Sequence, residues 1–382
     1  MDTFAPTQHA VHVLPEGDLA EKLKLDRPLR VKLGVDPTSP DVHLGFAVVL
    51  DRLREWQDAG HTVVLIVGDY TARIGDPSGR SSERPVLPDE VLDANAEQFA
   101  RQVFRILDPD RTEVRRNGEW LSTLTFAEVV RLTRTLTVAR LLERNDFAER
   151  FAAKEPISLS ELLYPPMQAY DSVAIDADVE IGGTDQLYNL MAGRDVMERY
   201  GKPPQLVVTY PLLVGLDGVE KMSKSRGNYI GIDDPPEEMF GKVMSIPDGA
   251  LEQWWALLTA GGEHSASPME WKLELARRIT ARWHGDEGAR AGEEHFTRVV
   301  RRHEAPEEVP DAVFSSNDGQ VYVPGLLVEL AGNSASHWRR QIDQGAVKVD
   351  GGSIATYEVD AAMLDGALLQ AGKRRFFRLK PA

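Results

Sequence analysis

The run Thr62–Val67, Thr-Val-Val-Leu-Ile-Val, leaves this chain few choices of fold. Uninterrupted apolar and β-branched residues without polar alternation mark a strand buried on both faces, as in a parallel sheet covered by helices. The neighbouring segments agree. Arg30–Val35 is a short, mostly apolar run leading into Asp36 and Pro37, and Leu44–Trp56 carries apolar residues at helical spacing. Gly68–Pro88 is rich in Gly, Pro and Ser and reads as a long loop. Helical periodicity returns over Pro88–Leu107, Ser158–Ala174 and Thr184–Tyr200, and Gln205–Tyr210 reads as a further strand. Strands alternating with helices predict an α/β domain over residues 1–229, with ligands at the C-terminal ends of its strands.

Beyond Tyr229 the pattern changes. Asp233-Asp-Pro-Pro236 is a helix-start signal, and Glu237–Arg302 is helical throughout, with breaks near Pro247, Gly261 and Gly262, so residues 230–305 are expected to form a helical domain. Residues 306–320 carry Pro306, Pro310 and several acids and read as a linker. Residues 321–382 are expected to form a small α+β module, two helical stretches followed by short strands around Gly351 and Gly352. Charge separates this module from the rest. Its eight basic and six acidic residues give +2, whereas the other 36 basic and 54 acidic residues give −18 of the net −16. The acidic bulk speaks against a generic nucleic-acid binder. The absence of cysteine excludes disulfides, thiolate zinc sites and a cysteine nucleophile. No apolar run approaches a membrane span, and the N-terminus lacks the pattern of a secretory signal, so a cytoplasmic protein is expected.

Two constellations carry chemistry. The first is Gly34-Val-Asp-Pro-Thr-Ser-Pro-Asp-Val-His-Leu-Gly45, between a strand and the next helix. A helix N-terminus with unpaired N–H groups suits phosphate, and Gly45 removes a side chain where a flat base could lie against backbone. Alone, the segment reads equally well as a Pro-rich turn capped by a histidine. The second is Lys221-Met-Ser-Lys-Ser225, followed by Arg226, Gly227 and Asn228. Lysines three apart with interleaved hydroxyls make a cationic loop able to clamp a polyphosphate and follow its charge into a transition state. A solvated basic loop is the bland alternative, though such a loop is a local exception in an acidic chain.

Together these motifs resemble the paired signatures of class I aminoacyl-tRNA synthetases. The segments between them, Asp69-Tyr-Thr-Ala-Arg-Ile-Gly-Asp-Pro-Ser-Gly79, Gln168-Ala-Tyr-Asp171 and Gly182-Gly-Thr-Asp-Gln186, are similar to those of the bacterial tyrosyl-tRNA synthetase family. The resemblance spans nearly the whole chain. It implies a Rossmann-type catalytic domain, an α-helical anticodon-binding domain and a small RNA-binding domain in a homodimer. The implied activity joins L-tyrosine to ATP as tyrosyl-adenylate, with release of pyrophosphate, and then to the 3′ end of its tRNA. Magnesium is expected with ATP rather than in a protein metal site.

Carried over by position, the resemblance puts Gly34, Asp36, His43, Gly45 and Asp185 at the ATP site, with Lys221, Met222, Ser223, Lys224 and Ser225 closing on it. Thr38 and His43 would contact the terminal phosphates in the transition state. Lys221 and Lys224 would stabilise departing pyrophosphate, helped by Arg80 and Arg84. Asp76, Tyr164 and Gln168 would surround the amino group of tyrosine, Asp171 would accept from its hydroxyl, and Gln186 would contact the tyrosine end of the pocket. The residues support this grouping independently. Tyr164, Gln168 and Asp171 share one helix face, and three polar groups there are costly to bury without partners.

Two positions depart from the family pattern. Phe46 stands where the second signature histidine is usual. Lys32 stands where one branch places a phenol-binding tyrosine, which points to the other bacterial branch. The segment Leu330–Gly351 is similar to an RNA-binding domain shared with a ribosomal protein, which would set Arg339, Arg340 and Lys348 against tRNA phosphates. Tryptophanyl-tRNA synthetase, a small-molecule nucleotidylyltransferase and a non-catalytic RNA-binding regulator are the rivals. The first is disfavoured by Gln168–Asp171 and the tail, the second by the extra domains, and the third by the retained lysines and His43.

Overall fold

The central strand, β3, owes its position to the run that announces it: Val63, Val64, Leu65 and Ile66 are completely buried. Successive strand side chains point to opposite faces, so burial of all four requires cover on both. The computed structural model describes residues 4–77, 87–301, 309–372 and 375–382. They form two compact units, one of residues 1–234 and 245–268, the other of residues 235–244 and 269–382.

In the first unit β1 (His12–Leu14), β2 (Arg30–Val35), β3 (Thr62–Val67), β4 (Thr112–Arg116), β5 (Val179–Gly183) and β6 (Leu206–Tyr210) make one sheet in the order 1-6-5-2-3-4. All neighbours are parallel except β1, which runs antiparallel to β6. The chain winds outward from β2 through β3 to β4, then returns to lay β5 on the other side of β2. That reversal opens a crevice at the C-terminal ends of β2 and β5, where ligands of such sheets bind. Helix Leu44–Asp58 packs on β3 and β5, and helix Leu187–Arg199 packs on β5, β6 and helix Leu159–Ala174.

Local chemistry fixes the helix that borders the crevice. Ser158 and Glu161 form a capping box at the start of Leu159–Ala174. Glu161 is itself buried against Arg150, at 2.5 and 3.0 Å. Pro165 and Pro166 lie inside the helix.

Helices Pro236–Ser245 and Pro268–Phe296 lie in the second unit except for Ser245 and Pro268, and the latter helix is interrupted at Gly285, where φ is 71°. Helix Leu251–Leu258, read from sequence as part of the helical domain, belongs to the first unit. The tail has its own core, in which Leu327, Trp338, Ile342, Leu369 and Leu379 are buried. Its strands are β7 (Asp311–Phe314), β8 (Gln320–Tyr322), β9 (Val347–Val349), β10 (Gly352–Ser353), β11 (Glu358–Asp360), β12 (Leu368–Ala371) and β13 (Arg375–Pro381). Five form a sheet in the order 10-9-12-13-7, and β11 pairs with β8.

Strand β7 corrects the expected linker. It pairs with β13, and its Ala312 and Phe314 are buried in the tail's core, so the module begins before residue 321. The Asp-Ala-Val-Phe alternation was masked by the prolines and acids around it. Part of that stretch, residues 302–308, lies outside the described residues. No helix among the described residues is long and apolar enough to cross a membrane.

Candidate functional site

At the C-terminal end of β2 the chain turns through Asp36, which becomes a hub. One carboxylate oxygen accepts from Thr71 Oγ1 at 2.7 Å and the other from the Tyr164 hydroxyl at 2.9 Å. Residue 68 must be glycine for this approach, because a Cβ there would sit 2.1 Å from Asp36 Oδ1 and 2.4 Å from Thr71 Oγ1. The Pro-rich turn that follows is held by helix Asp89–Val103. Asn95 Nδ2 donates to the Pro37 carbonyl at 3.0 Å, and Gln98 Nε2 to Asp41 at 3.0 Å. The Gln102 amide accepts from the Val42 N–H and donates to Asp233 at 2.6 Å. These three amides went unremarked in the sequence; their signal is the spacing 95, 98, 102, one helix face.

The turn delivers His43 as N-cap of helix Leu44–Asp58. Its Nδ1 accepts from the Phe46 N–H at 3.3 Å, which assigns the proton of the neutral ring to Nε2. Burial first, then the charge of Lys224, lowers its pKa to about 3, so the imidazole is neutral at pH 7. Gly45 sits close against its neighbours. A Cβ there would lie 3.1 Å from the His43 ring and 3.3 Å from Met222, whose sulfur accepts from the Gly45 N–H at 3.3 Å. Phe46, in place of the second histidine, packs edge-on against Phe99 with ring centroids 5.4 Å apart.

The lysine loop is tied by Asn228. Its Oδ1 accepts from the Ser223 N–H at 2.9 Å and its Nδ2 donates to Asp217 at 2.6 Å. Gly227 ends the turn at φ 67°, a left-handed conformation that favours glycine. Lys221 pairs with Asp185 at 2.5 Å. Lys224 is half-buried, and burial, opposed by Asp41, brings its pKa down to about 8.

Between these elements lies a cavity of about 330 Å³. Gly34, Asp36, Thr38, His43 and Gly45 line it from β2 and the turn; Asp76, Tyr164, Gln168 and Asp171 line its other wall; Asp185, Gln186, Lys221, Met222 and Ser223 complete it. A second space of about 540 Å³ shares Asp36, Thr38, His43 and Ser223 with it and adds Lys224 and Ser225. Every activation residue expected from sequence therefore borders one of two adjoining spaces, apart from Arg80 and Arg84, which lie outside the described residues.

The inner end of the cavity is polar but enclosed. Asp171 is 2% exposed. It accepts from Trp120 Nε1 at 2.8 Å and Asn117 Nδ2 at 3.3 Å, two partners absent from the sequence reading. Burial raises its pKa to about 7 against the opposing pull of Lys32, Trp120 and Asn117. The buried Gln168 Oε1 has no hydrogen-bond partner among the described residues. Gln186 donates to Asp76 at 2.8 Å and accepts from Asn189 at 3.0 Å, and Asn189 in turn accepts from Arg144 at 2.8 Å. This relay orients Gln186, and sequence gave no sign of its outer members. Lys32 does not line the cavity; it is buried against Glu180.

In the tail, exposed Arg339 donates to the Tyr322 hydroxyl at 2.7 Å and lies over that ring. Arg340 is exposed on the same helix, and Lys348 lies on β9.

The family model described as tRNA synthetases class I (W and Y) matches residues 24–303. The chain is 49% identical to the tyrosine–tRNA ligase of Thermotoga maritima, covering 97% of this chain and 95% of that one. It is 46% identical to that of Moorella thermoacetica, over 96% and 92%. Among solved structures, it superposes with a TM-score of 0.62 on the tyrosyl-tRNA synthetase of Archaeoglobus fulgidus complexed with L-tyrosine. That match is 25% identical and covers 75% of this chain and 96% of the other. The chain belongs to the class I aminoacyl-tRNA synthetases, in the branch of the tyrosine–tRNA ligases.

Proposed function

We propose that the two adjoining spaces divide the ligase reaction between them, tyrosine in the enclosed one and the nucleotide phosphates in the other. The observation that carries this reading is Asp171, a buried carboxylate on the wall of a cavity that His43 and the start of the lysine loop also border. The tyrosine hydroxyl would donate to Asp171. Its ammonium would meet Asp76, Tyr164 and the unpartnered Gln168 Oε1. The substrate carboxylate then points towards the shared boundary of the spaces.

There a carboxylate oxygen attacks the α-phosphorus of ATP. The new O–P bond forms as the bridging oxygen leaves with pyrophosphate, and no protein nucleophile is needed. The N-terminus of helix Leu44–Asp58 and the Nε2–H of His43 would donate to phosphate oxygens. Lys221, released from Asp185, and Lys224 would follow the charge that grows on the leaving group. Among the described residues no three His, Asp or Glu side chains are placed to hold a metal; magnesium would enter on the nucleotide's phosphates. In the second step a ribose hydroxyl at the tRNA 3′ end attacks the tyrosyl carbonyl, and AMP leaves.

The subunits would pair through the segment 126–159, where Phe126, Leu159 and Phe151 are 84%, 81% and 65% exposed. Exposure of this order at large apolar residues marks an interaction surface. The tail would hold tRNA phosphates through Arg339, Arg340 and Lys348, contacts that position rather than specify. The reaction would run in the cytoplasm, where its substrates are found. ATP–pyrophosphate exchange with each amino acid in turn tests the assignment: tyrosine alone should support rapid exchange, and equal exchange with phenylalanine would refute it.

A further inference from the structure

Beneath the cavity lies a buried ion pair that the proposed mechanism leaves idle. Lys32 on β2 and Glu180 on β5 are register partners on adjacent strands, with side chains 0% and 1% exposed and 2.8 Å apart. All three ammonium donors of Lys32 are used: on Glu180 Oε1 at 2.8 Å, on Ser172 Oγ at 2.8 Å and on the main-chain carbonyl of Gln168 at 3.0 Å. Glu180 Oε2 accepts from Ser172 Oγ at 2.9 Å and from Gln205 Nε2 at 2.7 Å. Room for this cluster comes from Gly193, where a Cβ would lie 2.4 Å from Gln205 Nε2.

A buried ion pair is a poor source of stability, since an apolar pair of similar volume often serves as well. Its value here lies in what it grips. Gln168 and Ser172 belong to helix Leu159–Ala174, the wall that carries Tyr164 and Asp171. Pro165 and Pro166 in that helix have no N–H, so the carbonyls of Glu161 and Leu162 lack their usual partners one turn on. The helix is thus weakly secured by its own ladder just before Gln168, where the sheet reaches up through Lys32.

We propose that Lys32 is a positioning residue for the tyrosine pocket, fixing the helix wall at Gln168 and Ser172 so that Gln168 Oε1 and the Asp171 carboxylate meet the two ends of the substrate. This rests on the reading of the cavity as the tyrosine site. Charge supports it. Lys32 from β2 and Glu180 from β5 are the charged groups acting on Asp171, while Asp36 and Asp76 open on the same cavity. Lys32 is the strongest influence favouring the ionised carboxylate, ahead of Trp120 and Asn117, and the opposing effect of Glu180 is the weakest of all. Removing both charges therefore leaves Asp171 harder to ionise.

Lys32→Met alone strands a buried carboxylate and is expected to fold poorly. Lys32→Met combined with Glu180→Gln removes both charges and keeps donors and acceptors for Ser172 and Gln205. In tyrosine-dependent ATP–pyrophosphate exchange this double variant should raise the tyrosine KM about tenfold or more, the loss of a charge-assisted tie. The ATP KM should be unchanged, and the acid limb of kcat/KM for tyrosine should move to higher pH. Should the double variant not fold, Ser172→Ala loosens the same tie without removing a charge. It should raise the tyrosine KM and leave the acid limb in place. A merely structural role would lower thermal stability with both KM values and the acid limb as in the wild type, and that result overturns the proposal. Wild-type enzyme that fails to exchange with tyrosine would instead refute the assignment of the cavity; wild-type exchange with unmoved variant parameters removes only the role of Lys32.

Discussion

Asp171 is held between opposing influences, burial raising its pKa to about 7 and Lys32 opposing it. Only the ionised form accepts a charge-assisted bond from the tyrosine hydroxyl. Affinity should therefore be full above that pKa and fall as pH drops through about 7. Asp171→Asn should abolish this dependence and reduce the preference for tyrosine over phenylalanine about ten- to a hundredfold, the cost of one poorly matched buried polar group. A variant that retains the wild-type ratio of tyrosine to phenylalanine exchange would remove Asp171 as the hydroxyl's partner. Lys224 titrates in the opposite sense. Its cation, with pKa near about 8, is lost as pH rises, so adenylate formation should slow on the alkaline side. Lys224→Ala should remove that limb and slow the forward step about a hundred- to a thousandfold while the tyrosine Kd holds, because the contact strengthens only as charge develops on the leaving group. Stopped-flow measurement of both quantities checks it. At this scale the residues legible in sequence were those in motifs. Trp120 and Asn117 were not, since they lie in an unmarked stretch and reach Asp171 only through the fold.

Elements were legible in proportion to their apolar pattern. β3 is readable because it is apolar throughout. β4, Thr-Glu-Val-Arg-Arg, is an edge strand whose charges face other charges, as in the Arg30–Glu113 pair at 2.8 Å, so its sequence carries no strand signal. β5 was missed for a related reason: Glu180 interrupts its apolar run, and the facing Lys32, with Ser172 and Gln205, makes that burial tolerable. Helix Phe126–Thr133 shows the reverse case. It has a capping box of Thr125 and Glu128, yet leaves Phe126 and Val130, four apart on one face, 84% and 43% exposed. A well-capped helix with an uncovered apolar face calls for a partner, and the proposed one is a second copy of the chain. Phe126→Asp should convert the dimer to a monomer by light scattering. An acid in the first turn suits the helix, so circular dichroism should be unchanged.

For the molecule as a whole, the described residues proposed to carry activation all lie in the first unit, and the tail has a separate core. Deleting residues 309–382 should therefore spare tyrosine-dependent pyrophosphate exchange and cut tRNA charging at least about tenfold, with the difference from the full-length enzyme largest at low salt. A truncated dimer that charges tRNA at the full-length rate would refute the RNA-binding role; a monomer inactive in both reactions would make the tail structural. The truncation begins at 309 rather than 321 because β7 belongs to the tail, which the composition of its surroundings concealed.

Helix Leu159–Ala174 presents exposed Leu159 at one end and Asp171 to the cavity near the other, about 18 Å apart along one helix. A subunit partner seated on Leu159 and an amino acid seated on Asp171, as proposed above, would grip the same helix. By reciprocity, whatever factor association contributes to amino-acid affinity, the amino acid returns to association. The supply of a nutrient and the abundance of the enzyme's own subunits would then be linked inputs to one equilibrium.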